Sequence, residues 1–415
     1  MATQTNDFKK GAASFRLRGK LRFTPNTFTL NKKSDSGFIS NQMYLGVDCG
    51  KGNVVYARMF DGYFGTPDRQ KKLYLHGKKA DPSNPRRSVD DFSDQFVIDW
   101  SQRFMEDYVD EAGPACFTKV AVRYDKNGEL ITDRYLSPYD AIAAMAEFAA
   151  QVSATPEAQE VVAEVRGNLE YQYYDGRTTC QKRITSIRLR PDLTEADFEA
   201  TFTQMGYVSK DGIGTPDMEK KLLPLTVYVP DYVGKYNGID VKKTVPLSYE
   251  MTLDATAKVA RWLTEQIKKS NGYARFTFRG DFVESGTVES IDLSEMNDEI
   301  KGWVANGVLS EEDVRELVAA GTQRVQLVKI TNLAPARGTV TISPDYDLSV
   351  YTQKEMDALA EPLYAAVAAS KAAAEKTAEP VVDDDDDNDD DLPFDLKDEK
   401  KEDDADNMDW LTNFM

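Results

Sequence analysis

"FRLRGKLRF", Phe15 to Phe23, decides how the rest of the chain reads. Phe15, Leu17, Gly19, Leu21 and Phe23 alternate without a break against Arg16, Arg18, Lys20 and Arg22. A period of two divides side chains between the two faces of a strand, whereas a helix would mix them. The stretch is therefore predicted as a half-buried strand with one apolar and one cationic face. The following segments keep the same arrangement. "MYLGVDC" turns Met43, Leu45, Val47 and Cys49 inward with Tyr44 and Asp48 outward, and "GKGN" at 50–53 marks a turn. "VVYARMF" puts Val55, Ala57 and Met59 inward and Tyr56, Arg58 and Phe60 outward, and "KLYLH" puts Leu73 and Leu75 inward, Tyr74 and His76 outward. Four short strands with Gly-rich or polar connections predict a small curved antiparallel sheet or barrel.

"SPYD" at Ser137 supplies an N-cap, a proline at the first helical position and an acid in the first turn, so a linking helix is expected over 137–165. A second β-rich domain is expected over 166–350. Its strands are "VRGNLEYQYYDG", "RITSIRLRP", "LTVYVP", "YARFTFRGDF" and "RVQLVKITNL", with helices near 254–270, 294–305 and 310–320. Thr352 caps an Ala-rich helix or linker over 351–378. "LRGKL", "VRGNL" and "FRGDF" echo one another by placing Arg-Gly in an apolar frame, where glycine marks a bend or bulge in a strand.

Charge is unevenly distributed over the 415 residues, whose net is −19. Residues 1–87 hold 17 Lys/Arg against six Asp, whereas Glu379 to Met415 carry 17 acidic and three basic residues. A basic head calls for a polyanion, and an acidic tail for a regulatory or recruiting role. Three cysteines, Cys49, Cys116 and Cys180, form no disulfide or zinc spacing, and a reducing cytoplasm is the expected compartment. With neither a leader nor an apolar run approaching the roughly 18 to 20 residues of a membrane span, no membrane is expected as a partner.

Cations that follow a phosphate backbone and aromatics that stack on unpaired bases are what holding single-stranded nucleic acid requires. The first 136 residues are expected to supply both. The candidates are Arg16, Arg18, Lys20, Arg22, Tyr44, Tyr56, Arg58, Phe60, Tyr63, Phe64, Lys71, Lys72, Tyr74, Lys78 and Lys79. No catalytic residue, metal site or cofactor is expected. His76 is the only histidine, so histidine triads and multi-histidine metal sites are excluded, and no carboxylate pair stands out. "LGVDCGKGN" (45–53) is similar to the first phosphate loop of actin-like ATPases, a rival reading that lacks a matching second loop.

"DDDLPF", Asp389, Asp390, Asp391, Leu392, Pro393 and Phe394, resembles the acidic tip of phage and bacterial single-stranded-DNA-binding proteins. That resemblance implies an OB-fold nucleic-acid domain over 1–136, coating of exposed single strands in replication, recombination and repair, and recruitment of partner proteins by the tip. It also implies a bacterial cytoplasm, that of the host for a phage protein. The implied fold class is α+β and β-rich: an OB-like antiparallel barrel, a second β-rich region with helical insertions and a disordered acidic tail over 379–415. Twenty-one residues follow Phe394 here, and Trp410, Leu411, Phe414 and Met415 offer a second apolar plug. A further alternative is an acidic protein whose tail mimics DNA. Oligomeric state stays open.

Overall fold

The alternation at Phe15 to Phe23 is realised in strand β1, where Phe15, Leu17, Gly19 and Leu21 are buried and Arg16, Arg18, Lys20 and Arg22 face outward. The computed structural model describes residues 8, 10–65, 71–77, 95–155, 160–283, 327–333 and 346–377. Its elements are β1 (Ala13–Arg22), β2 (Phe28–Lys33), β3 (Phe38–Asp48), β4 (Val54–Phe64), β5 (Lys72–His76), β6 (Gln95–Asp99) and α1 (Glu106–Glu111). β7 (Thr118–Tyr124), β8 (Leu130–Tyr135), α2 (Pro138–Ala154), β9 (Val162–Tyr174), β10 (Arg177–Leu189) and β11 (Glu199–Val208) follow. The last are β12 (Leu222–Tyr236), β13 (Ile239–Asp254), α3 (Lys258–Lys269), β14 (Tyr273–Val283), β15 (Leu327–Leu333), β16 (Tyr346–Tyr351) and α4 (Gln353–Thr377).

Strand pairing closes a five-stranded ring. β1 pairs with β3, β3 with β4, β10 with β9 and β9 with β1, all antiparallel, and one parallel bridge, Arg58 to Arg183, joins β4 to β10. A parallel return needs a crossover, and α2 lies within it. Ser137 Oγ accepts from the Tyr139 amide at 3.1 Å, with Pro138 opening the helix as "SPYD" predicts. This is the OB-like barrel, with Leu17, Met43, Leu45, Val55, Ala57, Met59, Val165 and Ile184 in its core.

The second ring repeats the first. β11 pairs with β12, β12 with β13, β15 with β14 and β14 with β11, and β13 meets β15 in parallel. α3 stands in the connection from β13 to β14, as α2 stands between β4 and β9. Registers agree in detail. Phe15 of β1 lies opposite Gly167 of β9, and Phe202 of β11 lies opposite Gly280 of β14. Four residues beyond each phenylalanine stands a glycine, Gly19 and Gly206. The echo between "VRGNL" and "FRGDF" thus marks equivalent strands of two barrels, while "LRGKL" occupies a first strand. A Cβ on Gly167 would lie 1.9 Å from the Arg183 carbonyl oxygen and 2.6 Å from the Phe15 ring, so the strand crossing requires glycine there.

Several expected boundaries shift. The helix expected over 137–165 ends at Ala154, because residues from Val162 enter β9. β9 and β10 close the first barrel, so the division at 136/166 cuts through it: a barrel needs its fourth and fifth strands, which follow the crossover. "KLYLH" is not a barrel strand: among the described residues β5 pairs only with β6, in a separate two-stranded sheet. The barrels share the ladder between β1 (Ala13–Arg18) and β11. The contact pattern divides the chain into Met1–Ser370, which holds both barrels, and Lys371–Met415. The helices expected at 294–305 and 310–320 and the tail over 379–415 lie outside the described residues.

The stretch read as an Ala-rich helix or linker is a packed helix. Thr352 and Glu355 form a reciprocal cap, the Thr352 amide donating to Glu355 at 2.8 Å and the Glu355 amide to Thr352 Oγ1 at 3.3 Å. Met356, Ala360, Leu363 and Ala366 of α4 are buried. Met356 and Leu359 pack with Phe8, Met205, Tyr207, Tyr228 and Tyr273 on the outer side of the second barrel. No described helix is long and apolar enough to cross a membrane.

Candidate nucleic-acid interface

The outward residues of the β3–β4 hairpin are set by one register, in which Phe38 faces Phe64, Gln42 faces Phe60, Tyr44 faces Arg58 and Gly46 faces Tyr56. Inward positions are filled by Met43, Leu45, Val55, Ala57 and Met59. Strand parity therefore leaves Phe38, Tyr44, Tyr56, Arg58, Phe60 and Phe64 together on the outside, all half-buried. Tyr44 and Tyr56 stack with centroids 5.2 Å apart and planes 9° from parallel. Phe38 meets Phe64 edge-on at 5.1 Å and Phe60 at 6.4 Å. Two glycines make room for this ribbon, because a Cβ on Gly46 would lie 3.1 Å from the Tyr56 ring and one on Gly62 2.6 Å from the Phe38 ring.

Arg58 is the cation of the ribbon. Its guanidinium carbon stands 4.9 Å from the Phe60 ring centroid. Burial pulls its pKa below the usual arginine value, against the pull of Tyr44 and Glu170, and its Nε is buried with no hydrogen-bond partner among the described residues. Among those residues no carboxylate forms an ion pair with it. Glu170 acts on it only at a distance, being ion-paired with Arg183, and a half-buried guanidinium with no ion pair of its own is costly and is relieved by an anion that reaches it. Arg183 lies beside Arg58 across the parallel bridge and pairs with Glu170 at 2.9 Å.

The stripe on β1 is differently engaged. Arg16 pairs with Glu199 at 2.8 Å, and Arg18 with Glu164 at 2.7 Å and Glu199 at 3.2 Å. Lys20 pairs with Glu160 at 2.9 Å and Glu195 at 3.1 Å, and Arg22 with Asp48 at 2.6 Å. These four face one side as expected, but carboxylates from β3, β9, β11 and their connections neutralise them. The pattern in "FRLRGKLRF" cannot show this, because the partners lie far along the chain. Arg22 alone borders the ribbon, in register with Gly46.

Other expected residues are elsewhere. Tyr63 stacks on Trp100 at 4.9 Å and meets Tyr139 edge-on at 5.4 Å, within the satellite core of Leu73, Leu75 and Ile98. Lys71 pairs with Asp61 and lies 4.7 Å from the Trp100 ring, and Lys72 pairs with Asp99. Tyr74 is 64% exposed, opposite Val97 on the β5–β6 hairpin. Tyr63 stands on β4 at the opposite parity to Phe60 and Phe64, and Lys71, Lys72 and Tyr74 lie off the barrel strands, so these four do not share the ribbon. Lys78 and Lys79, and Asp389 to Phe394, Trp410 and Phe414 of the tail, lie outside the described residues.

Two residues missed by the sequence reading belong to the face. Phe38 continues the alternation of Tyr44 backwards by three steps, a signal that was available. Arg183 reaches Arg58 only through the barrel-closing bridge, which leaves no local signal. "LGVDCGKGN" is the hairpin turn between β3 and β4, with φ of 84°, 55° and 71° at Gly50, Lys51 and Gly52. Asp48 accepts from the Gly50 amide at 3.0 Å and from Arg22. The segment resembling an ATPase phosphate loop thus serves as a barrel hairpin.

The outer face of the second barrel differs. Thr203, Met205 and Tyr207 stand where the first barrel has Arg16, Arg18 and Lys20, and α4 and Phe8 cover Met205, Tyr207 and Tyr228. No protein-family model matches the chain. No curated protein sequence matches it. Among solved structures, it is similar to a deletion mutant of the single-stranded DNA binding protein from Thermus aquaticus. The TM-score is 0.25 at 12% identity, over 66% of this chain and 88% of that one. So loose a superposition adds nothing to the fold, which rests on the strand pairings.

Proposed function

We propose that this chain binds single-stranded DNA on the outer face of the β3–β4 hairpin of its first barrel, without reading sequence. The observation that carries the reading is Arg58, half-buried over Phe60 beside the Tyr44–Tyr56 stack and forming no ion pair among the described residues. A phosphate supplies the missing anion, and unpaired bases supply rings that stack on the exposed aromatic edge. Duplex DNA hides those base faces. The hairpin corresponds to the strands that OB-folds use for oligonucleotides.

Coating of single strands in replication, recombination and repair, whether by a phage or a bacterial protein, extends this reading. The acidic tail, with Leu392, Pro393 and Phe394 among its carboxylates, then recruits partner proteins and competes with DNA for the basic face. That part is supported by sequence alone.

Fluorescence polarisation with labelled oligo-dT, a duplex of equal length and an RNA oligomer tests the proposal. Single-stranded DNA is expected to bind most tightly, with affinity falling steeply as salt rises. Equal affinity for duplex, or no binding at low salt, overturns it. Removal of residues 379–415 is expected to raise low-salt affinity, and an unchanged affinity discards tail competition.

A further inference from the structure

A second cationic surface adjoins the β3–β4 face. Arg166, Arg188 and Arg190 line an open cleft of about 560 Å³ with Tyr124, Gly128 and Leu130 of the β7–β8 hairpin, together with Glu164 and Asp192. Glu164, with its side chain 7% exposed, holds Arg18 and Arg166 at 2.7 Å and Arg190 at 3.7 Å. Asp192 holds Arg190 at 2.7 Å. Arg188 is exposed, and its side chain has neither ion pair nor hydrogen bond among the described residues. Tyr124 is 49% exposed at the rim.

The cleft is continuous with the aromatic ribbon. Tyr44 lies opposite Arg58, Arg58 opposite Arg183 and Arg183 opposite Asn168, and Arg166 follows two residues along β9. Each step is about 5 to 7 Å, a spacing that successive phosphates of an extended strand can follow. An irregularity between Ile184 and Ser186 makes this possible. Without it, odd-numbered Arg183 and even-numbered Arg188 and Arg190 would face opposite sides of β10. With it, Ile184 and Ile187 both point into the core and all three arginines point out.

The geometry points to a second subsite for the same single strand: the phosphodiester backbone runs from Arg58 past the ion-paired but half-exposed Arg183 and Arg166 to Arg188, the cleft arginine that no carboxylate neutralises among the described residues, and a base stacks on Tyr124. This rests on the β3–β4 hairpin being the primary site. The bulge in β10 turns Arg188 to the side that carries Arg183 and Arg166, a change of parity that a patch merely solubilising the sheet would not need.

The test compares a short and a long oligo-dT, about 6 and about 16 nucleotides, spanning the site sizes of single OB domains. The full chain is used, with Arg188→Gln, Tyr124→Ala and, as a control for lost charge, Lys243→Gln on β13. All three side chains are exposed, and far-UV circular dichroism verifies the fold of each variant. Tyr124→Ala is expected to lose about fivefold or more on the long strand, the lower limit for one stacked base, and nothing on the short one. Arg188→Gln is expected to lower the salt slope on the long strand by about 0.7, one phosphate's share for a single strand. Lys243→Gln changes neither. Binding of the short strand with no loss on the long one in either variant overturns the subsite and leaves the primary site standing. Equal losses on both lengths, or an equal loss in the control, also overturn it. Failure of the unaltered protein to bind either length overturns both readings.

Discussion

The Arg58 guanidinium stands 4.9 Å from the Phe60 ring, on a strand whose next outward neighbour, Tyr56, is stacked on Tyr44. The aromatic holds the cation in place without neutralising it, which a carboxylate would do. Arg58→Gln keeps the length and polarity but removes the charge. Affinity for oligo-dT is expected to fall about tenfold or more, since a hydrogen bond to a charged group contributes about 1.5 to 3 kcal/mol, and the salt slope is expected to fall by about 0.7. Polarisation titrations at several salt concentrations read both quantities, and an unchanged slope would mean that Arg58 meets no phosphate.

Tyr56 separates stacking from hydrogen bonding. Tyr56→Phe keeps the ring over Gly46 and is expected to retain oligo-dT affinity. Tyr56→Ala exposes that glycine and is expected to lose about 1 to 3 kcal/mol, the range for one stacked base. Equal affinities for the two variants would remove Tyr56 from the interface.

Legibility followed the range of the interactions. The alternation in β1, β3 and β4 is local, so the inward and outward sets of Met43 to Cys49 and Val55 to Phe60 could be read from parity. The cap at Ser137 and the Thr352 cap were equally local. Barrel closure was not: β9 and β10 join β1 and β4 across an insertion of three secondary elements or more, and the sequence offered only the Arg-Gly echo. Charge was the least legible property. Arg16, Arg18 and Lys20 read as free cations because Glu199, Glu164 and Glu195 lie more than a hundred residues away. Arg183, Arg188 and Arg190 share a face only through a bulge that parity cannot anticipate.

Gly167 and Gly206 tell apart two demands on the barrels. Alanine at 167 meets a backbone oxygen at 1.9 Å and the Phe15 ring, whereas alanine at 206 meets first a Val227 methyl at 2.3 Å and then a carbonyl at 3.4 Å. Side chains yield more readily than paired strands. Gly167→Ala is expected to destabilise by at least the roughly 1 to 3 kcal/mol of an overpacked core, and by more than Gly206→Ala. Urea denaturation of both variants measures this, and the reverse order would contradict the strand crossing at Gly167.

Glu164 carries a pH dependence. Burial pushes its carboxyl pKa up, but the Arg18 hydrogen bond and the charges of Arg166, Arg18 and Arg190 outweigh burial and leave it below the usual carboxylate value. A carboxyl with a depressed folded pKa adds stability that is complete above its unfolded value, about 4.3, and is lost as pH falls through the folded value. The urea midpoint of the unaltered chain is therefore expected to exceed that of Glu164→Gln at pH 7 and pH 5, with the gap narrowing toward pH 3. A gap that stays constant to pH 3 would show that the guanidiniums do not hold this carboxylate.

α4 divides the labour between the barrels. Its residues Met356, Leu359 and Leu363 repeat at helical spacing, and Met356 and Leu359 lie over the outer face of the second barrel. The covered residues Met205, Tyr207 and Tyr228 stand where the first barrel has Arg18, Lys20 and Asp48, a polar, ion-paired stripe beside the β3–β4 ribbon. Leu363 is 1% exposed and joins the main core. Leu363→Ala is expected to cost about 2 to 5 kcal/mol through lost burial and the cavity left behind, yet to leave oligo-dT affinity unchanged at temperatures where the chain stays folded. The two readouts separate the alternatives. Lost stability with unaltered binding assigns α4 to the fold of the second barrel, whereas tighter binding would mean that loosening α4 uncovers a second nucleic-acid face and that both barrels grip the strand.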